Sequence, residues 1–177
     1  MLHESKSKQE IVAINPLDCR IYTLLKDIAK PMFAFQNDNM EMYTLEKDLK
    51  IFGVEVENFP EGIGDAFDKL VNMISGEVDR SYFGISEMTD KVFSYKAVAE
   101  EKYDGETENY NCKRYIIEKG EYLTVRLLDW RKKTDSIKYL FSEICQNAKI
   151  DKTKPCVEWY KNDDEMLCMV RIDATKE

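Results

Sequence analysis

The chain has 177 residues, 44% apolar and 34% charged, which suits one folded domain of ordinary size and excludes a chain disordered throughout. Its formal net charge is -8, a field that repels a phosphate backbone, and its basic clusters, residues 131–133 and 149–154, sit beside predicted helix ends; direct nucleic-acid binding is therefore not expected. No apolar run approaches a membrane span and residues 1–10 lack the apolar centre of a signal peptide, so a cytoplasmic protein with no membrane contact is expected.

Residues 1–9 form a polar tail ahead of a single domain over 10–177. Residues 11–25 are rich in β-prone side chains and read as extended chain. Between Pro31 and Pro60 the pattern is harder. Residues 36–39 look like a loop, 45–49 like a helical turn, and Phe52, Val54 and Val56 alternate with polar or small residues as a half-buried strand does. Residues 62–75 form a helix, because Ile63, Ala66, Phe67, Leu70 and Ile74 fall on one stripe. Residues 82–85 and 93–101 follow as two strands of a hairpin. Residues 102–111 are polar, with a turn at Asp104-Gly105.

A second unit follows. Residues 113–117 and 122–128 are strands, and 135–147 form a helix with Ile137, Leu140, Phe141, Ile144 and Cys145 on one face. Pro155 closes a basic loop. Residues 157–161 and 166–172 are strands around the turn at Asn162-Asp163-Asp164.

The order of extended segment, helix, strand, strand thus occurs twice, with both the helices and the strands after them spaced by about 70 residues. Repeat one covers about 10–102 with an insertion at 26–60, and repeat two about 110–173. The predicted fold is α+β: duplicated βαββ units forming a curved antiparallel sheet, helices on one face, and a ligand cleft between the halves.

Several chemistries are set aside. The single His, His3, lies in the polar tail, so neither a His-dependent nucleophile nor a His metal site is expected. Gly62-Ile63-Gly64 lacks the rest of a dinucleotide fingerprint and opens a helix instead. Residues 37–39 and 163–165 lack a calcium-loop pattern and read as turns. The five Cys residues are odd in number and have no close pair, so reduced thiols are expected, and neither metal nor cofactor.

Glu158 is the sharpest candidate. A carboxylate is unusual in a strand between Val157 and Trp159, and Cys156, Glu158 and Tyr160 share one strand face. If Trp159 packs under the helices, Glu158 and Tyr160 face the groove on the other side of the sheet. There Glu158 is a counter-ion for a cation or a general acid/base, against the plainer reading of a surface Glu paired with a Lys. Trp130 ends the strand before the second helix and is either a stacking surface or a packed strand end. Tyr82, Tyr95 and Tyr122 join Tyr160 as ligand-binding candidates.

Three segments carry a family resemblance: Tyr82-Phe83-Gly84-Ile85-Ser86, Ile117-Glu118-Lys119-Gly120-Glu121-Tyr122 and Pro155-Cys156-Val157-Glu158-Trp159-Tyr160. In this order the chain resembles the gyrase-inhibitor-like family, which is related to the effector-binding domains of MerR- and AraC-type transcription regulators and to SOUL proteins. The resemblance covers about residues 10–173. It implies an aromatic-lined pocket between two βαββ halves, with an acid at the Glu158 position meeting a small organic ligand, hydrophobic and in some cases cationic. A binding or sensing protein is the first expectation. A hydrolase of reactive small molecules, with Glu158 as general acid/base, is the second. An acidic inhibitor that binds a protein partner is the third.

Overall fold

In a computed structural model, residues 40–74, 79–89 and 92–175 are described. The extended reading of residues 11–25, the polar tail and the loop at 36–39 lie outside them.

The described chain runs β1 (Met40–Leu45), β2 (Leu49–Glu55), α1 (Ile63–Met73), β3 (Tyr82–Thr89), β4 (Val92–Glu100), α2 (Glu106–Asn109), β5 (Lys113–Ile117), β6 (Gly120–Leu128), α3 (Thr134–Ile144), β7 (Cys156–Tyr160) and β8 (Glu165–Arg171). The strands form one sheet in the order β1-β6-β8-β7-β3-β4-β2-β5. Every pairing in it is antiparallel. The helical turn expected at 45–49 is instead the connection between β1 and β2.

Two connections make the sheet curl. β1 and β5 are its opposite edges, yet β1 is followed by β2, the neighbour of β5, and β5 by β6, the neighbour of β1. Each joint is a tight turn of two or three residues, spanning about 14 Å at most. The edges must therefore approach each other there, and the sheet becomes a half-barrel. The Lys119 amide donates to Asp48 Oδ1 at 2.7 Å and fastens the two turns together.

The curl gives the sheet an inner and an outer face, both covered. Hence the central strands are apolar on alternate and intervening positions alike. The inner face packs Ile51, Phe83, Ile85, Val98, Val157, Leu167 and Met169 against one another, with Tyr43 and Trp159 at their margin. The outer face carries the helices. Under α1, Ala66 and Leu70 meet Phe52 and the small strand residues Ala97 and Ala99, which let the helix approach closely. Under α3, Leu140, Phe141 and Ile144 meet Val125, Leu127, Met166 and Cys168.

The polar segment after β4 is anchored from within. Glu106, fully buried, accepts from Arg80 Nη2 at 2.7 Å and from the Lys102 amide at 2.7 Å. Its cation is satisfied in turn by the Glu100 carbonyl at 3.0 Å. Among the described residues no helix is long and apolar enough to cross a membrane. Cys112, Cys156 and Cys168 remain thiols, as expected, whereas Cys145 is disulfide-bonded.

Candidate functional site

β7 and β3 meet at the centre of the sheet, with Gly84 opposite Glu158 and Tyr82 opposite Tyr160. Strand alternation puts Cys156, Glu158 and Tyr160 on the outer face, and Val157 and Trp159 on the inner one. This reverses the expected arrangement. Trp159 does not lie under the helices: it packs in the inner layer against Tyr43 and Phe83, at ring distances of 5.7 and 5.6 Å. The face opposite the helices is not an open groove either, because the curl fills it with apolar side chains. Glu158 therefore points to the helix side, over the seam between the α1 and α3 halves.

The carboxylate is only 5% exposed. Tyr95, on β4, donates to Glu158 Oε2 at 2.7 Å, and Tyr160 donates to the same oxygen. The two hydroxyls lie 3.2 Å apart. Burial raises the Glu158 pKa above the ordinary carboxylate range, and the hydrogen bonds from Tyr160 and Tyr95 offset part of that rise. Burial, then the nearby carboxylate, push both phenols well above the usual tyrosine value. Cys168, opposite Glu158 on β8, is held as a thiol by the same burial.

Aromatic rings roof this cluster. Phe67 of α1 meets Tyr160 edge-on at 5.2 Å, and Trp130 lies 4.8 Å from it on the other side. Trp130 heads a short helical turn after β6. Its Nε1 donates to the Asn162 carbonyl at 2.9 Å, and Arg131 pairs with Asp163 at 2.6 Å, so the turn is tied to the β7–β8 connection. Phe59 lies against Tyr95 at 5.5 Å and Phe93 at 4.6 Å.

Of the six residues expected at a ligand site, the structure brings together Glu158, Tyr160, Tyr95 and Trp130, with Tyr82 across from Tyr160 on the same face. Tyr122 stands apart. It falls on the inner face of β6, and its hydroxyl is engaged by the Glu118 carbonyl. Phe67 and Gly84 were not among the six. Phe67 was legible as part of the α1 stripe, but its contact with Tyr160 depends on the path of the chain between the halves. A hollow of about 30 Å³ opens elsewhere, lined by Ile117, Tyr122, Val157 and by Glu118, with which Lys154 and Arg171 both pair. Among the described residues no group of three or more His, Cys, Asp or Glu side chains could hold a metal ion.

No family model and no curated protein sequence matches the chain. Solved structures do. An integron cassette protein from the mobile metagenome of Vibrio cholerae superposes with a TM-score of 0.55 at 13% identity, covering 77% of this chain and 99% of that one. The protein SAV2435, solved bound to tetraphenylphosphonium, gives 0.56 at 11% identity, over 76% of this chain and 94% of its own. A protein from Staphylococcus aureus provisionally named a bacterial transcription regulation protein gives 0.50 at 12% identity, over 76% and 98%. At these identities the likeness is one of fold: a curled antiparallel sheet with helices, shared with proteins that include a binder of a small organic cation.

Proposed function

We propose that this chain binds a lipophilic organic cation between α1 and α3, with Glu158 as the counter-ion, and that it is a gyrase-inhibitor-like effector-binding domain. The observation that carries this reading is a buried carboxylate whose only described hydrogen-bond partners are two phenols. A carboxylate placed there for stability alone would be expected to have a cation beside it, because an uncompensated buried charge is costly. Two phenols soften that cost without cancelling the charge. A cation that displaces a phenol from Oε2 restores the balance, and the rings of Phe67, Trp130 and Tyr160 offer it aromatic faces. The phenols fill the space over the carboxylate, so binding requires one of them to swing aside.

The sheet order supports the duplicated fold that this reading brings with it. Read outward from the β3–β7 seam, one half runs β3-β4-β2 and the other β7-β8-β6. In chain order these halves are β2-α1-β3-β4 and β6-α3-β7-β8, offset by about 70 residues. The leading strand of the first unit is then β2.

Titration with tetraphenylphosphonium tests the function. The parent is expected to bind it and melt at a higher temperature with it, as any ligand of the native state alone requires. Glu158→Gln is expected to lose most of that affinity while binding neutral triphenylphosphine oxide as the parent does. Equal affinity of parent and variant for the cation would refute the counter-ion role.

A further inference from the structure

We propose that Gly84 is the positioning residue of this site: its missing side chain is what lets the Tyr95 phenol cross β3 and reach Glu158. The role as part of a ligand site rests on the reading above; the geometry does not.

Tyr95 stands on β4 and Glu158 on β7, and these strands are not neighbours, because β3 runs between them. Side chains two strands apart ordinarily do not meet, since an intervening side chain stands between them. Here the residue between them is Gly84, register-paired with Ala97 of β4 on one side and with Glu158 of β7 on the other. A Cβ built on Gly84 would lie 2.0 Å from the Tyr95 hydroxyl oxygen, 2.7 Å from Tyr95 Cζ and 3.0 Å from Glu158 Oε2. The phenol thus lies directly over the Gly84 Cα.

The backbone does not demand glycine there. Gly84 does not adopt the left-handed conformation that Gly105 and Gly120 do, and it sits mid-strand, where glycine weakens a sheet. The position is spent on room for a ring. Across the seam it faces the one residue that most needs a donor, so one half supplies the acid and the other the vacancy through which a phenol reaches it.

In Gly84→Ala the phenol has to leave. Glu158 then keeps one donor, Tyr160, in the same buried setting. The titratable groups facing it are Tyr95 from β4, Tyr160 from its own strand and Cys168 from β8, while α1 presents Phe67 and the turn after β6 presents Trp130. With a donor to the charged form lost, the carboxyl holds its proton to higher pH.

The test is carbon-13 NMR of the Glu158 carboxyl in the full chain, assigned by Glu158→Gln, across a pH series. Gly84→Ala and Tyr95→Phe are each expected to shift the titration to higher pH, and the double variant no further than Tyr95→Phe alone. A Gly84→Ala midpoint equal to the parent's, or shifts that add in the double variant, would overturn the proposal. If Gly84→Ala alone does not fold, Tyr95→Leu opens the space over position 84, and the Gly84→Ala/Tyr95→Leu chain is expected to fold as Tyr95→Leu does; failure there overturns the proposal equally. Tetraphenylphosphonium titrations run alongside separate the two readings: no binding to any variant, with the NMR shifts as expected, removes the ligand reading and leaves the role of Gly84 standing.

Discussion

Replacing Glu158 by Gln removes a charge while keeping shape and acceptor, because the Gln side-chain oxygen accepts from Tyr95 and Tyr160 as Oε2 does. The sign of the stability effect follows from burial. Glu158 has a folded pKa above its unfolded one, so below the unfolded value the carboxyl is protonated in both states and contributes alike. Above it the unfolded chain ionises first, and the folded state loses stability relative to it by about 1.4 kcal/mol per pH unit until the folded carboxyl also titrates. Glu158→Gln has no such loss. The difference between parent and variant should therefore be independent of pH well below the unfolded pKa, and should shift in the variant's favour as pH rises towards neutrality. Urea unfolding at pH 4 to 8, extrapolated linearly to water, reads this directly. Parallel profiles, or a variant that weakens with rising pH, would show that the carboxylate is charge-compensated in the folded chain and would refute the reasoning.

Trp159→Phe leaves Trp130 as the sole indole, and its fluorescence should change on adding tetraphenylphosphonium, since Trp130 roofs Tyr160; an unaltered spectrum at saturation would place the cation elsewhere. Tyr122→Phe should cost about 0.5–1.5 kcal/mol through the lost bond to the Glu118 carbonyl, and leave cation binding as in the parent. Arg80→Met strands the buried Glu106 carboxylate and should cost about 3–5 kcal/mol in urea unfolding, whereas Arg131→Met, at an exposed pair, should cost under about 1 kcal/mol.

Much of the secondary structure was legible because periodicity is local. The α1 stripe of Ile63, Ala66, Phe67 and Leu70, and the alternation of Phe52, Val54 and Val56, are imposed by a single element's own geometry. Alternation also showed that Glu158 and Tyr160 share a face opposite Trp159. It could not say which face the helices cover, since both faces of these strands are apolar once the sheet curls. That is why Glu158 was expected to face away from the helices, whereas it points towards them. The curl itself comes from two turns whose partners are strands on the far edges, a long-range fact. Glu106 likewise reads as one more surface acid in a polar loop until Arg80, from another segment, is seen against it. Gly84 lies within the Tyr82-Phe83-Gly84-Ile85-Ser86 segment, but its meaning depends on a ring from one neighbouring strand and an acid from the other.

The two edge strands have a mechanical consequence. β1 precedes the first half in sequence but pairs with β6 of the second, and β5 precedes β6 in sequence but pairs with β2 of the first. Each half thus lends a ribbon to the other, so prising them apart would tear three ladders at once. The floor beneath Glu158 is correspondingly stiff, so on the proposed reading a guest would have to be admitted from above it, by rotating rings and shifting helices.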